Sequence, residues 1–252
     1  MERKNKAPFE VVMGPIQLLM VVGLIIGAFY IGTLKTKVDL LQNGTGGTQG
    51  VGANAPVAGA PAAPLTADNV PKPSEDDWVR GDRNAEIALI EYSDLECPFC
   101  KQFHPTAQQA VEEYDGKVMW VFRHYPLSFH ANAQKEAEAA ECAGKLGGND
   151  AFWEYIDAIY ERTTATGTGF ALEDLAPLAG EQGLSESALQ TCLDSGEMAA
   201  KVKEQMDGGT AAGVTGTPGN ILLNVKTGKT VLIPGALPFD QIKTNIDSLL
   251  NG

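Results

Sequence analysis

Apolar positions follow two different patterns along this chain. Residues 11–32, VVMGPIQLLMVVGLIIGAFYIG, form an uncharged run of 22 residues. At roughly 1.5 Å per residue, such a run crosses a hydrocarbon core of about 30 Å, so it predicts one transmembrane helix. A cleaved signal peptide is the competing reading, with a shorter apolar region and small residues at the cut. The run passes instead into IGTLKTKVD, without a clear cleavage site, which favours an uncleaved signal anchor. Arg3, Lys4 and Lys6 precede the span and Lys35 and Lys37 follow it. That slight excess puts residues 1–10 in the cytoplasm. Residues 43–76 are then rich in Gly, Ala, Pro, Thr and Asn and poor in large apolar side chains. Such a composition cannot bury a core, so 33–77 is expected to be a flexible tether.

From residue 78 onward, short apolar runs alternate with helical periodicity, which predicts one folded domain over 78–252. Residues 87–92, IALIEY, read as a buried strand. CPFC follows after four residues, and Pro98 suits the first position of a helix reaching about residue 114. Residues 118–125, VMWVFRHY, read as a second strand. Helical stretches follow at about 131–146, 151–163, 172–183, 186–194 and 197–212. Strands at 220–224 and 230–233 are joined by Lys226-Thr227-Gly228-Lys229, a hairpin signal, and a helix over 239–250 closes the chain. The predicted class is α/β: a central mixed sheet flanked by helices, with a helical insertion at about 131–212.

Charge narrows the function. Residues 1–76 carry six basic and six acidic residues and sum to zero, so the net charge of -13 lies in the folded domain. An acidic domain repels phosphate backbones, which argues against nucleic-acid binding.

The four cysteines are Cys97, Cys100, Cys142 and Cys192, and four cysteines allow three pairings. A CxxC that follows a strand and opens a helix is the thioredoxin-like redox placement. The thiolate is the attacking species, and free cysteine, with a pKa of about 8.5, holds little of it near neutrality. At a helix N-terminus the unpaired N–H groups and the dipole favour a negative sulfur. Cys97 is therefore expected to be the exposed nucleophile. Cys100, one turn on and more buried, is expected to resolve the mixed disulfide. A metal module built from CPFC and His104 is the alternative. Structural zinc wants about four ligands and no second CxxC or CxxH pair is present, so no metal site is expected.

The order of IALIEYSDLECPFCKQF, FRHYPL, EAEAAECAGKLGG, AFWEYIDAIY and GVTGTP resembles the DsbA-like branch of the thioredoxin superfamily, the extracytoplasmic thiol–disulfide oxidoreductases. The resemblance spans about 78–250. It implies the thioredoxin-like fold and a cis peptide between Thr217 and Pro218, in a loop beside CPFC that receives a substrate strand. Gly219 and Asn220 depart from the larger residue that such members usually carry after this proline. The resemblance also gives Glu91 the role of a buried acid, raised in pKa, that accepts the Cys100 proton; an exposed strand-end glutamate is the alternative. It supports a structural disulfide between Cys142 and Cys192, against two buried free thiols. Strongly oxidising members often carry histidine where Phe99 stands. A phenyl ring cannot donate to sulfur, so a milder oxidant is expected.

These readings converge on a single-pass membrane-anchored enzyme whose catalytic domain faces outward. It would pass the Cys97–Cys100 disulfide to reduced secreted or surface proteins, with no cofactor beyond that disulfide. The resemblance implies a quinone-linked reoxidising partner of the DsbB or vitamin K epoxide reductase type. A reductase or isomerase using the same site is the alternative direction. Among the remaining residues, Trp120, Phe152 and Trp153 are expected in the core, and Glu112, Glu113 and Asp115 at a solvated helix end. His124 is expected to pack within its strand and His130 to cap the following helix.

Overall fold

The computed structural model describes residues 65–252. The expected span at 11–32 and most of the expected tether lie outside the described residues. Among the described residues no helix is long and apolar enough to cross a membrane.

Five strands form one sheet: β1 (Trp78–Arg80), β2 (Ile87–Ser93), β3 (Val118–His124), β4 (Gly219–Asn224) and β5 (Thr230–Pro234). Their spatial order is β1-β3-β2-β4-β5. β2 and β3 are parallel, as the crossover through α1 (Pro98–Glu113) between them permits. The other three pairings are antiparallel. β2, β3 and β4 are buried along their whole length, because helices or loops cover both faces of the sheet.

Side-chain alternation divides the core in two. Ile87, Leu89, Trp120, Phe122 and Leu222 pack under α1, α2 (Ala133–Arg162) and α6 (Phe239–Asn251). Ala88, Ile90, Tyr92, Val121 and Ile221 face the other way, against Ala67, Val79, Ala212 and Val214. Glu91 follows Ile87 and Leu89 onto the first face, where it is fully buried.

The helical insertion departs from expectation in two places. The helices predicted at 131–146 and 151–163 run on as α2, broken only where Gly148 takes φ 81° and ψ -166°. The helix predicted over 172–183 divides into a 3-10 turn, Leu172–Asp174, and α3 (Leu175–Glu181). α4 (Glu186–Ser195) begins where the Ser185 hydroxyl accepts from the Ala188 N–H, and α5 (Ala199–Ala211) follows. Cys142 on α2 and Cys192 on α4 are bonded, with Cα atoms 6.0 Å apart.

Strand β1 carries too short a pattern to register as a strand, and packing creates it. Trp78 stacks on Phe152 at 5.1 Å and donates from its indole to Glu141 at 2.7 Å. Gly144 makes room for it, since a β-carbon there would stand 2.4 Å from the Trp78 ring.

The expected tether to residue 77 also needs correction, because residues 65–77 are held to the domain. Leu65 bridges to Leu232, and the Thr230 hydroxyl bonds both the N–H and the carbonyl of Ala67. Arg123 of β3 does the rest. Nε and Nη2 donate to the two oxygens of Asp77 at 2.9 and 3.0 Å. Nη1 donates to the Pro71 carbonyl and to the Tyr92 hydroxyl, and Nη2 also to the Lys72 carbonyl. All five guanidinium N–H groups are thereby used. Composition is blind both to Ala67, which joins the second core face, and to an arginine that captures the segment's backbone carbonyls.

Arg123→Ala leaves the buried Asp77 carboxylate unpaired and frees residues 71–77. It is expected to cost about 3–5 kcal/mol of stability, read by chemical denaturation, and to open this segment to limited proteolysis. Arg123→Lys should recover little, since an ammonium cannot reproduce the bidentate fork.

Candidate active site

The end of β2 delivers Asp94, Leu95 and Glu96, and the chain turns directly into α1. Cys97 is the N-cap, in extended conformation (φ -84°, ψ 122°), with Pro98 at the first helical position. Its carbonyl accepts the first helical bond, from Lys101. The backbone N–H groups of Phe99 and Cys100, unpaired at a helix start, face the Cys97 sulfur. Opposite lies the Thr217–Pro218 peptide, which is cis. Cys97 Sγ is 3.5 Å from the Thr217 carbonyl. The Thr217 hydroxyl, buried and without another partner, stands beside the same sulfur as a donor to its anionic form. Gly219 follows because the turn packs tightly: a β-carbon there would lie 2.4 Å from Val214 Cγ1.

Two buried carboxylates fix the segment before Cys97. Asp94 accepts from the Glu96 N–H at 2.8 Å, the Leu127 N–H at 2.7 Å and His130 Nδ1 at 2.9 Å. Glu96 accepts from the Thr163 hydroxyl at 2.9 Å and from the N–H groups of Gly169 and Phe170 at 2.6 and 2.8 Å. Against the pull of burial, donors around Glu96 hold it below the usual carboxylate range. Glu136, fully buried, is pushed up to about 10 by burial and by the Glu96 charge, so a neutral carboxyl meets a carboxylate. Through these bonds the CPFC turn is tied to the loop over 125–132 and to the helical insertion.

The two cysteines are both free thiols and are driven apart in acidity. A hydrogen bond from Cys100 lowers Cys97 to about 6, helped by Thr217 and by the helix N–H groups and opposed by burial. Burial pushes Cys100 well above the ordinary thiol, as do its bond to Cys97 and the Glu91 charge. Burial raises Glu91 to about 7, and bonds from Ser93 and Trp120 limit the rise. Those bonds are short: the Ser93 hydroxyl donates to Oε1 at 2.6 Å and the Trp120 indole to Oε2 at 3.0 Å. Glu91 is thus a buried acid next to the dithiol and not an exposed strand end.

One expectation is corrected here. Cys97 was expected to be exposed and is 3% exposed, because the 217–218 turn lies over its sulfur. Phe99, between the cysteines, projects into solvent at 59% exposure.

The histidines separate by role. His104 is tied through Nε2 to Asp157 at 2.7 Å and packs edge-on to Trp120. Among the described residues no group of three or more His, Cys, Asp or Glu is arranged to hold a metal. His124 is buried in its strand, and burial with the nearby Lys201 lowers it to about 3. His130 sends its imidazole to Asp94, and only its backbone carbonyl, accepting from Ala133 at 3.3 Å, serves the helix start. Asp94, Glu96, Ser93, Tyr160 and Glu136 belong to the site but carry no motif. Only the adjacency of the first three to CPFC marked them.

Residues 73–247 match the family model described as Thioredoxin. Among solved structures the chain is similar to DsbA2 of Pseudomonas aeruginosa, 31% identical with a TM-score of 0.62, over 71% of this chain and 97% of that one. It is also similar to oxidised BdbD of Bacillus subtilis, 23% identical with a TM-score of 0.61, over 76% and 99%. At that identity the second likeness concerns the fold alone. Among curated proteins the chain is similar to the Na(+)/H(+) antiporter NhaA 1 of Salinispora arenicola, 34% identical over 150 residues. It is 33% identical to NhaA 3 of Salinispora tropica, also over 150 residues. Each match covers 59% of this chain and 22% of the relative, so the chain spans less than a quarter of the length of these curated relatives.

Alkylation by iodoacetamide reports the thiolate. Its rate at Cys97 should rise with pH through a midpoint of about 6 and level off near neutrality. Below that midpoint the sulfur is a thiol and reacts slowly. Cys100 should remain unmodified over the same range, as peptide mapping after the reaction would show.

Proposed function

The chain belongs to the thioredoxin family, in its DsbA-like branch, and from that premise we propose that it is an extracytoplasmic thiol–disulfide oxidoreductase working through Cys97 and Cys100. The observation that carries this reading is a sulfur at a helix N-terminus with its pKa lowered to about 6, beneath a cis-proline turn and one helical turn from a buried second thiol. The names of the antiporters carry no part of it.

The chemistry is a pair of displacements. A substrate thiolate attacks Cys97 Sγ in the oxidised pair, the Cys97–Cys100 bond breaks, and its electron pair stays on Cys100. The second substrate thiolate attacks the substrate sulfur of the mixed disulfide, closes the substrate disulfide and releases Cys97 as thiolate. Stabilising that leaving thiolate favours the reduced enzyme and hence oxidation of the substrate. The redox carrier is the cysteine pair itself, and the clients are reduced secreted or surface proteins. Two electrons remain on the pair after each turnover. A membrane quinone-linked oxidase of the DsbB or vitamin K epoxide reductase type is the proposed acceptor. The uncharged run at 11–32 supports a single-pass anchor with the domain outside the cell membrane.

Cys97→Ala should abolish oxidation of a dithiol peptide, and Cys100→Ala should trap the mixed disulfide with Cys97. Full oxidase activity in the Cys97 variant would refute the mechanism.

Equilibration of the pair against glutathione sets the direction. The Phe99 side chain adds no donor to the backbone N–H groups at Cys97, so the pair should be less oxidising than that of a histidine-containing relative. A potential equal to or above such a relative's would overturn this expectation, and a strongly reducing one would favour a reductase.

A further inference from the structure

The two turns that meet at the Cys97 sulfur belong to different elements. The ladder between β2 and β4 ends where Tyr92 stands opposite Gly219. Beyond that rung, among the described residues, Ser93–Glu96 and Val214–Pro218 exchange no backbone hydrogen bond. Yet Cys97 Sγ lies 3.5 Å from the Thr217 carbonyl. Something else must hold the two turns in register.

One segment reaches both. The loop over 125–132 joins β3 to α2, and its ends are pinned to opposite walls of the site. At one end the Tyr125 hydroxyl donates to the Val214 carbonyl at 3.3 Å and lies 3.1 Å from the Thr210 hydroxyl. Val214 is buried, and its Cγ1 packs so closely on Gly219 that a β-carbon there would stand 2.4 Å away. The cis-proline turn is thus registered on Val214. At the other end, Asp94 Oδ2 receives both the Leu127 N–H at 2.7 Å and His130 Nδ1 at 2.9 Å. Facing a carboxylate, Nδ1 carries the ring proton. Asp94 Oδ1 takes the Glu96 N–H, and the Asp94 carbonyl takes the Cys97 N–H at 3.0 Å. The turn that puts Cys97 at the N-cap is therefore registered on Asp94.

The stretch between these ends is stiff. Pro126 fixes its own φ. The His130 N–H closes a turn on the Leu127 carbonyl at 2.9 Å, and the Ser93 carbonyl holds the Tyr125 N–H at 2.7 Å. Asn132 bonds the Gly167 and Phe170 carbonyls, which fixes the loop to the insertion as well. Gly167, at φ 90°, permits that approach, since a β-carbon there would stand 3.3 Å from the His130 ring.

We propose that the 125–132 loop is a brace that sets the spacing of the CPFC and cis-proline turns, with Tyr125 and His130 as its positioning residues. The proposal rests on the reading of Cys97 as the exchange nucleophile and adds no group to the chemistry. Two side chains that hydrogen-bond to neither thiol keep Cys97 under the donors of the first helical turn, with the 217–218 turn against its sulfur. A brace has a definite signature. It acts only while both ends hold, so cutting either end releases the same constraint. Contacts within one such network are non-additive, whereas independent contacts add.

The test is the pH dependence of Cys97 alkylation by iodoacetamide in the full chain, beside stability to chemical denaturation. The parent midpoint is expected near 6. Tyr125→Phe cuts one end of the brace and His130→Ala the other. Each should raise the midpoint by about one unit, the scale of a weakened hydrogen bond to a charged group. The double variant should rise no further than the larger single shift. His130→Asn offers a side-chain N–H near the place of Nδ1–H and should restore the parent midpoint. Both single variants should also equilibrate with glutathione as weaker oxidants than the parent. An unmoved midpoint in either single variant, or shifts that add in the double, would overturn the brace, whatever stability is lost. Should His130→Ala not fold, the Tyr125→Phe midpoint alone decides. Alkylation reads the sulfur without turnover, so these outcomes leave the exchange reading standing. That reading falls instead if Cys97→Ala retains oxidase activity.

Discussion

A sulfur held against the open end of a helix is the interaction on which this domain's chemistry depends. The first turn of any helix has N–H groups without partners, and here two of them face Cys97. With the Cys100 thiol and the Thr217 hydroxyl they outweigh the cost of burying an anion. Moving Cys97 one residue into the helix would lose the arrangement, because the N-cap position alone combines an extended backbone with a view of those donors. Pro98 helps to hold that boundary, since it lacks an N–H that would compete at the first position.

An anion so stabilised must be held in place, and much of the buried polar structure does this. Asp94 and Glu96 spend their lone pairs on backbone N–H groups from two separate loops. Each carboxylate thereby converts a flexible connection into a fixed wall of the site. Glu136 enters this ring neutral, because a second negative charge beside Glu96 would be prohibitive in a buried setting. Glu91 sits on the other side of the dithiol under a different balance, raised to about 7 by burial against the bonds from Ser93 and Trp120.

Several features were legible along the chain for local reasons. The strand, CPFC and helix order declared the site because an N-cap cysteine and a first-turn proline are decided within four residues. The strands β2 to β5 lie close to the apolar runs that predict them, while in the insertion two expected helices join across Gly148 and another divides at Asp174. Strand β1 was not legible, since Trp78–Arg80 is too short for a period and is set by stacking on Phe152 and pairing with β3. Residues 65–77 were read as tether because composition registers apolar side chains and not carbonyls bound by Arg123. The exposure of Cys97 was misjudged because the turn that covers it comes from a loop 120 residues later.

The sequence by itself determined strands β2 to β5, the face on which Glu91 lies and the N-terminal place of Cys97 on its helix. These depend on periods and on neighbours within a helical turn. Only the tertiary structure decided the environment of each charge: which carboxylates collect backbone donors, and how Ser93 and Tyr160 meet across 67 residues of chain. Hydrogen bonds act over about 3 Å in space, and a sequence contains no such distances until sheet and helices have brought its parts together.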